Sequence, residues 1–156
     1  MASAKFQFSF ADEQESMNVD FDRIQRAVTN VFEDAGFVKG SIEIVTLASE
    51  PMRQMNVEYL GHDYPTDVLA FPLEVDQARK SVDAEIVICP DVAIDLAKDY
   101  NWPPEDELLL YAIHGALHIV GYDDHAPEDA PIMHAKEREY LARVGVDGAH
   151  SRDAEE

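Results

Sequence analysis

A run of six apolar residues at positions 108–113 restricts the fold of this chain more than any other feature. It follows Pro104 and Glu105, residue types that begin helices, and a helix that is apolar on nearly every side belongs inside a protein core. His114 and His118 come next, and on a helix residues four apart leave the same face. The sequence therefore predicts a buried central helix that presents a pair of imidazoles near its carboxyl end.

Further candidate metal ligands follow this histidine pair. Gly121 is the residue type best suited to end a helix with a left-handed turn, and such a turn would carry Asp124 and His125 back towards the imidazoles. Zinc-type ions bind imidazole and carboxylate, and a catalytic site keeps one position for water, so three protein ligands are expected. His114 and His118 supply two of them, and either Asp124 or His125 supplies the third.

Two other interpretations of the cluster are weaker. Zinc peptidases carry a glutamate general base directly after the first histidine, and this chain has Gly115 there, so peptide hydrolysis is disfavoured. The other interpretation is that His114 and His118 are ordinary core or helix-end histidines and that the acids after Gly121 only cap a turn. That would account for a single histidine, but it is less convincing for two histidines at helical spacing followed by two more residues of ligand type. The other three histidines are isolated in sequence and are interpreted as surface residues: His62, His134 and His150.

Hydrophobic periodicity predicts four strands and five helices. The strands cover residues 5–10, 41–47, 67–71 and 84–89, and the helices cover residues 21–32, a segment that begins at Ser49, residues 91–100, the segment with the histidine pair, and residues 130–144. Asp20 is the expected N-cap of the first helix. Pro72 is expected to stop the third strand, and residues 74–83 are expected to form a mobile polar loop.

Length and composition fit one domain. A chain of 156 residues can build one substantial core, and no apolar run is long enough to cross a bilayer. The first ten residues lack the pattern of a secretory signal, and the lone Cys89 cannot form an internal disulfide, so we expect a cytoplasmic protein. The net charge of −20, from 12 basic and 32 acidic residues, argues against non-specific binding of polyanions but leaves room for a local site.

Two separated motifs make the chain resemble the YbeY family of bacterial endoribonucleases and rRNA maturation factors, over roughly residues 40–143. The first is His114-Gly115-x-Leu117-His118-x-x-Gly121-Tyr122-Asp123, and the second is Gly61-x-Asp63-x-Pro65-Thr66-Asp67-Val68-Leu69-Ala70-Phe71-Pro72.

The resemblance implies an α+β fold: a single domain in residues 1–146, with a small mixed four-stranded sheet, about five helices and a buried central metal-binding helix. Residues 147–156 are expected to be a disordered acidic tail.

The activity that the resemblance implies is metal-dependent, single-strand-specific endoribonuclease cleavage in small-subunit rRNA 3′-end maturation and ribosome quality control. One divalent ion, Zn²⁺, would be the cofactor, and His114 and His118 would act through it, with no general base assigned. The implied partners are single-stranded rRNA precursor and the small ribosomal subunit or its proteins, with no membrane.

The resemblance also chooses between the candidate third ligands. The family's third ligand is usually a histidine six residues after the second, and Asp124 occupies that place here. A methionine follows the family's third ligand by nine residues and a glutamate comes four later; counted from Asp124, these are Met133 and Glu137. Asp124 is therefore preferred to His125.

Two further departures from the family pattern bear on function. Leu60 stands where the family typically has an arginine, with Arg53 nearby as a candidate replacement, and Ala84-Glu85 stands where it commonly has Gly-Asp. The missing arginine and the acidic surface favour a second hypothesis, a non-catalytic ribosome-assembly factor with a structural metal. A zinc peptidase-like hydrolase is the third and weakest.

Overall fold

Four strands and five helices occupy residues 5–146, the part of the chain that the computed structural model describes. The elements are β1 (Lys5–Glu13), α1 (Phe21–Asp34), β2 (Lys39–Leu47), α2 (Ser49–Leu60), β3 (Val68–Asp76), β4 (Ser81–Ile88), α3 (Pro90–Tyr100), α4 (Pro104–Ile119) and α5 (Ala130–Arg143). The tail expected at residues 147–156 lies outside the described residues, as does His150.

The four strands form one mixed sheet in the order β1-β2-β4-β3. β1 pairs with β2 and β2 pairs with β4 in parallel, whereas β3 runs antiparallel to β4 at one edge. Parallel neighbours need a crossover connection, and α1 provides it between β1 and β2. The α+β class and the small mixed sheet predicted from the resemblance are confirmed.

The two faces of the sheet pack against different helices. Even-numbered β4 residues such as Ile86 belong to the main core with α1, α4 and α5, and Val87 on the other face packs with Met52 of α2. All six residues of the run at 108–113 are buried, so α4 is the central helix that the sequence predicted. Within residues 5–146, no helix is both long enough and apolar enough to cross a membrane.

The local signals at the start of α1 were read correctly. The Asp20 carboxylate accepts the backbone N–H of Arg23 at 3.1 Å, which satisfies one of the free donors at the helix start. Gly36 follows this helix with a φ of +97°.

The prediction for residues 67–83 was wrong in one respect. β3 does not stop at Pro72 but continues to Asp76, and β4 begins at Ser81, so the expected loop is mostly a hairpin. Pro72 is tolerated because β3 is an edge strand, where a missing N–H costs no ladder bond, and the pairing is irregular between Pro72 and Glu74. Edge position is a tertiary property that the local sequence does not reveal.

Candidate metal centre

The carboxyl end of α4 brings two imidazole nitrogens together. Nε2 of His114 and Nε2 of His118 are 3.0 Å apart, and the two ring centroids are separated by 4.6 Å. The spacing of four residues on a helix produces this arrangement, and burial of the preceding turns of α4 holds it in place. One face of the helix therefore presents two ligand atoms that a single ion can reach.

A buried carboxylate stands behind the first histidine. Nδ1 of His114 lies 2.5 Å from Oε2 of Glu137 on α5, and the Glu137 side chain is 4% exposed. A carboxylate at this position accepts the Nδ1 proton, so the lone pair of Nε2 faces outward, as a metal ligand requires. In the sequence, Glu137 served only to align Asp124 with the family's third ligand, and its contact with His114 was not predicted.

The turn after α4 delivers a carboxylate to the same place. Gly121 adopts a φ of +111°, the kind of backbone conformation in which glycine is favoured. Oδ1 of Asp123 accepts the backbone N–H groups of Asp124 at 2.7 Å and of His125 at 3.2 Å, which fixes the turn. Turn capping by acids was considered only as an alternative to a metal site, whereas here Asp123 caps the turn and its neighbour Asp124 faces the histidines.

Asp124 points towards the histidine pair. Its carboxylate oxygens lie 3.7 Å from Nε2 of His114 and 3.6 Å from Nε2 of His118, and the ligand atoms of the three residues lie within 4.8 Å of one another. His125 lies farther out: its side chain is 84% exposed and its Nε2 lies 3.5 Å from Asp123. Of the two candidate third ligands, Asp124 therefore has the geometry of a ligand to the same ion as His114 and His118.

The donor set fits a divalent transition metal. Burial, with the neighbouring His114 as a second cause, lowers the pKa of His118, so its neutral form is favoured, and neutral imidazole is the form that binds metal. Two imidazoles and one carboxylate leave at least one position of a four-coordinate ion open. The His118 side chain remains 32% exposed, so the group can be reached from solvent.

Gly115 is the point at which the second motif meets α4. A Cβ built on Gly115 would lie 3.1 Å from Cγ2 of Val68 and 3.1 Å from Cγ2 of Ile86. The absence of a side chain therefore lets α4 lie directly on the sheet. Val68 opens β3, so the segment that carries the second motif begins beside the helix that carries His114.

The loop between α2 and β3 is held by hydrogen bonds to a buried residue of α2. Asn56 is fully buried, its Nδ2 donates to the backbone oxygen of Tyr64 at 2.8 Å, and its own backbone oxygen accepts the N–H of His62 at 3.4 Å. Asp67 caps the end of the loop by accepting the N–H of Val68 at 2.8 Å. These hydrogen bonds fix the backbone of the loop at both ends.

The remaining sequence candidates lie apart from the metal cluster. His62 is exposed, as expected, but His134 on α5 is buried, so its interpretation as a surface histidine was wrong. Its place on the inner face of α5, next to the buried Met133, accounts for this. Arg53, the candidate replacement for the family's arginine, is held by Glu50 and Asp63.

Fold and site together define a small α+β domain with a His-His-Asp group at the end of a buried helix. A family model described as Endoribonuclease YbeY matches residues 9–145, almost the whole described chain. The chain therefore belongs to the Endoribonuclease YbeY family, and the resemblance carried by the two motifs is confirmed.

Individual relatives agree with this assignment. The Endoribonuclease YbeY of Chlorobium luteolum is 40% identical over 119 residues, covering 76% of this chain and 85% of the relative. That of Sulfurovum sp. is 35% identical over 139 residues, covering 86% and 89%. That of Rhodopirellula baltica is 38% identical over 120 residues, and this chain spans 61% of its length.

A solved structure supports the fold alone. The solution structure of a protein from Thermotoga maritima superimposes with a TM-score of 0.62 at 24% identity, covering 89% of this chain and 88% of the other.

Proposed function

We propose that this protein is a metal-dependent endoribonuclease that cleaves single-stranded RNA, with Zn²⁺ as its ion and His114, His118 and Asp124 as the ligands. The observation that carries the proposal is the convergence of two Nε2 atoms and one carboxylate within 4.8 Å, in a chain of the Endoribonuclease YbeY family. When bound, such an ion supplies Lewis-acid chemistry to a phosphodiester and to the attacking water.

The chain's own residues prepare the site for that ion. The Glu137 carboxylate accepts a hydrogen bond from Nδ1–H of His114, which leaves Nε2 unprotonated and available as a ligand. Asp123 holds the turn that presents Asp124. No side chain is assigned as a general base, and Gly115 occupies the position at which zinc peptidases carry theirs.

The substrate in this proposal is rRNA precursor near the 3′ end of the small-subunit rRNA, and the reaction belongs to rRNA maturation and ribosome quality control in the cytoplasm. Membership of the family supports this reaction. The net charge of −20 opposes non-specific binding of RNA, so we include the small ribosomal subunit or one of its proteins as the partner that presents the substrate.

The test combines metal analysis with an RNase assay on protein freed of other nucleases. The wild type should bind about one Zn²⁺ and cleave single-stranded rRNA precursor, and His114→Ala should lose both while remaining folded by circular dichroism. Full cleavage by His114→Ala would refute the site. Metal binding and unfolding on chelation without any cleavage by the wild type would favour the non-catalytic assembly factor.

A second pair of variants separates the two candidate third ligands. Asp124→Ala should weaken Zn²⁺ binding at least tenfold, because it removes the only carboxylate within 3.7 Å of both Nε2 atoms among the described ion pairs. His125→Ala should leave binding within about threefold, since its ring is largely in solvent. The reverse order would make His125 the third ligand.

A further inference from the structure

Two exposed aromatic rings lie nearly parallel, in an offset arrangement, on the loop between α2 and β3. The rings of His62 and Tyr64 are 5.5 Å apart between centroids and inclined by 9°, and the Tyr64 hydroxyl lies 3.3 Å from Nδ1 of His62. Tyr64 is 54% exposed, and His62 is exposed as well. Offset aromatic pairs are common among apolar neighbours in a protein core. This pair instead faces solvent.

The pair is held in place although it is exposed. Asn56 fixes the backbone on both sides of it, through its bonds to the N–H of His62 and the carbonyl of Tyr64. The loop begins at Gly61 with a left-handed φ of +73°, and Pro65 restricts the backbone after Tyr64. A ligand that stacks on these rings would therefore lose little free energy in ordering the loop.

The loop ends against α4, next to the residue that follows His114. Val68 packs on Gly115, the residue after His114, and Tyr64 precedes Val68 by four residues, a span of at most about 14 Å in an extended chain. At a rise of about 3.4 Å per nucleotide in a stacked strand, roughly four nucleotides cover that distance. The rings therefore lie within a few nucleotides' length of the point where β3 meets α4, one residue after His114.

The local charges favour stacking over phosphate contacts. Arg53, the cation beside this loop, is held by the carboxylates of Glu50 and Asp63, with Nη1 2.5 Å from Asp63. The two carboxylates occupy donors on Nε, Nη1 and Nη2 of Arg53 and place negative charge beside it, which disfavours a phosphate there. Base stacking on an aromatic ring needs no positive charge, so it suits a chain with a net charge of −20.

We propose that His62 and Tyr64 form a stacking platform that holds one base of the single-stranded substrate beside the metal centre. This inference rests on the proposed endoribonuclease function and deepens it. The platform positions the strand and discriminates against duplex RNA, because in a duplex the faces of each base are covered by its stacked neighbours. It takes no part in the bond cleavage itself.

The experiment measures binding of single-stranded oligoribonucleotides that carry 2-aminopurine at successive positions. Stopped-flow fluorescence records binding before cleavage. Tyr64→Ala should weaken binding by roughly 5- to 100-fold, the range for loss of one stacked base, and should abolish the quenching of the stacked 2-aminopurine. Tyr64→Phe should retain both. Leu73→Ala is the control, since Leu73 is 68% exposed on β3 and is not aromatic.

An abasic scan makes the result specific to a base. At one position, removal of the base should weaken binding to the wild type but cause no further loss in Tyr64→Ala, so the two changes are not additive. Equal affinities of wild type and Tyr64→Ala, additive losses at every position, or an effect confined to binding of a protein partner would overturn the platform. A wild type that quenches but never cleaves would refute the endoribonuclease proposal and leave the platform standing.

Discussion

Glu137 and His114 form a buried pair across two helices, with Oε2 of Glu137 2.5 Å from Nδ1 of His114. The glutamate side chain is 4% exposed and that of the histidine is 13% exposed. This contact ties α5 to the functional end of α4 and determines which ring nitrogen of His114 faces the candidate metal centre. Partners of this kind fix the tautomer and the ring orientation of ligating histidines.

Removal of the carboxylate should therefore weaken metal binding without removing a ligand. We expect Glu137→Gln to lower Zn²⁺ affinity by about 10- to 100-fold, the range for loss of such a partner. Competition with a chelating dye would measure the dissociation constant. Glu139→Gln, on the solvent-facing part of the same helix, is the matched control and should stay within about twofold. Equal affinities of Glu137→Gln and the wild type would show that the pair serves only packing.

The sequence predicted those parts of the site that depend on helical periodicity. The apolar run at 108–113 identified a buried helix, and the spacing of His114 and His118 placed both on one face. The preference for Asp124 needed a comparison with the family pattern, because two adjacent residues of ligand type give no periodic signal. The contact of Glu137 with His114 depends on how α5 packs on α4, which local sequence does not encode.

The turn after Gly121 provides a second test. Asp123→Ala removes the oxygen that accepts the N–H groups of Asp124 and His125, the kind of contact that a helix-capping side chain makes. Since Asp124 would be held less firmly, Zn²⁺ affinity should fall about fivefold.

Asp123→Asn is the control for this variant, because its amide oxygen can still accept the same N–H groups. Its Zn²⁺ affinity should stay within about threefold of the wild type. If Asp123→Asn lost as much affinity as Asp123→Ala, the charge of Asp123 rather than its capping would be responsible. Isothermal titration calorimetry on both variants separates these outcomes.

Gly115 tests the contact between α4 and the sheet. In Gly115→Ala the new methyl group would lie 3.1 Å from the branched side chains of Val68 and Ile86, which are stiff and packed in the sheet. The crowding costs about 1–3 kcal/mol and outweighs the gain in helix propensity of about 1 kcal/mol. We expect a modest fall in the free energy of unfolding, measured with urea.

Gly115→Glu extends the same test to the peptidase hypothesis. It installs the glutamate that zinc peptidases carry, but a charge at this buried position should destabilise the fold by about 3 kcal/mol or more. We expect no hydrolysis of casein. A stable Gly115→Glu protein with peptidase activity would contradict both the packing argument and the exclusion of peptide hydrolysis.

The errors in the predicted fold have a common physical origin. Pro72 looks like a strand terminator, yet the missing N–H is harmless at a sheet edge, and edge position is set by the pairing order of all four strands. His134 was interpreted as a surface residue because the residues around it give no sign that this face of α5 is buried. In both cases tertiary packing overrode a local preference.

Two glutamates lie opposite each other on neighbouring strands. Glu43 of β2 pairs in register with Glu85 of β4, so both side chains leave the same face of the sheet. Partial burial, followed by hydrogen bonding to Glu43 and by its charge, raises the pKa of Glu85. Glu85 stands in the Ala84-Glu85 departure from the family pattern, and this pairing gives it a physical consequence.

The raised pKa of Glu85 sets the sign of a pH dependence. Since the folded state binds this proton more tightly than the unfolded state, the associated stability is present below the ordinary glutamate pKa and is lost as pH rises through the raised value. Glu85→Gln should therefore match the wild type near pH 4 and exceed its free energy of unfolding by about 0.5 kcal/mol at pH 7, the scale for like charges on adjacent strands. Urea unfolding across this range would measure the difference, with Glu74→Gln on the exposed part of β3 as the control.

Glu43→Gln should give the same gain in the free energy of unfolding, and the double variant should add little more, because either change removes the repulsion. A gain that does not depend on pH would show that the two carboxylates do not interact.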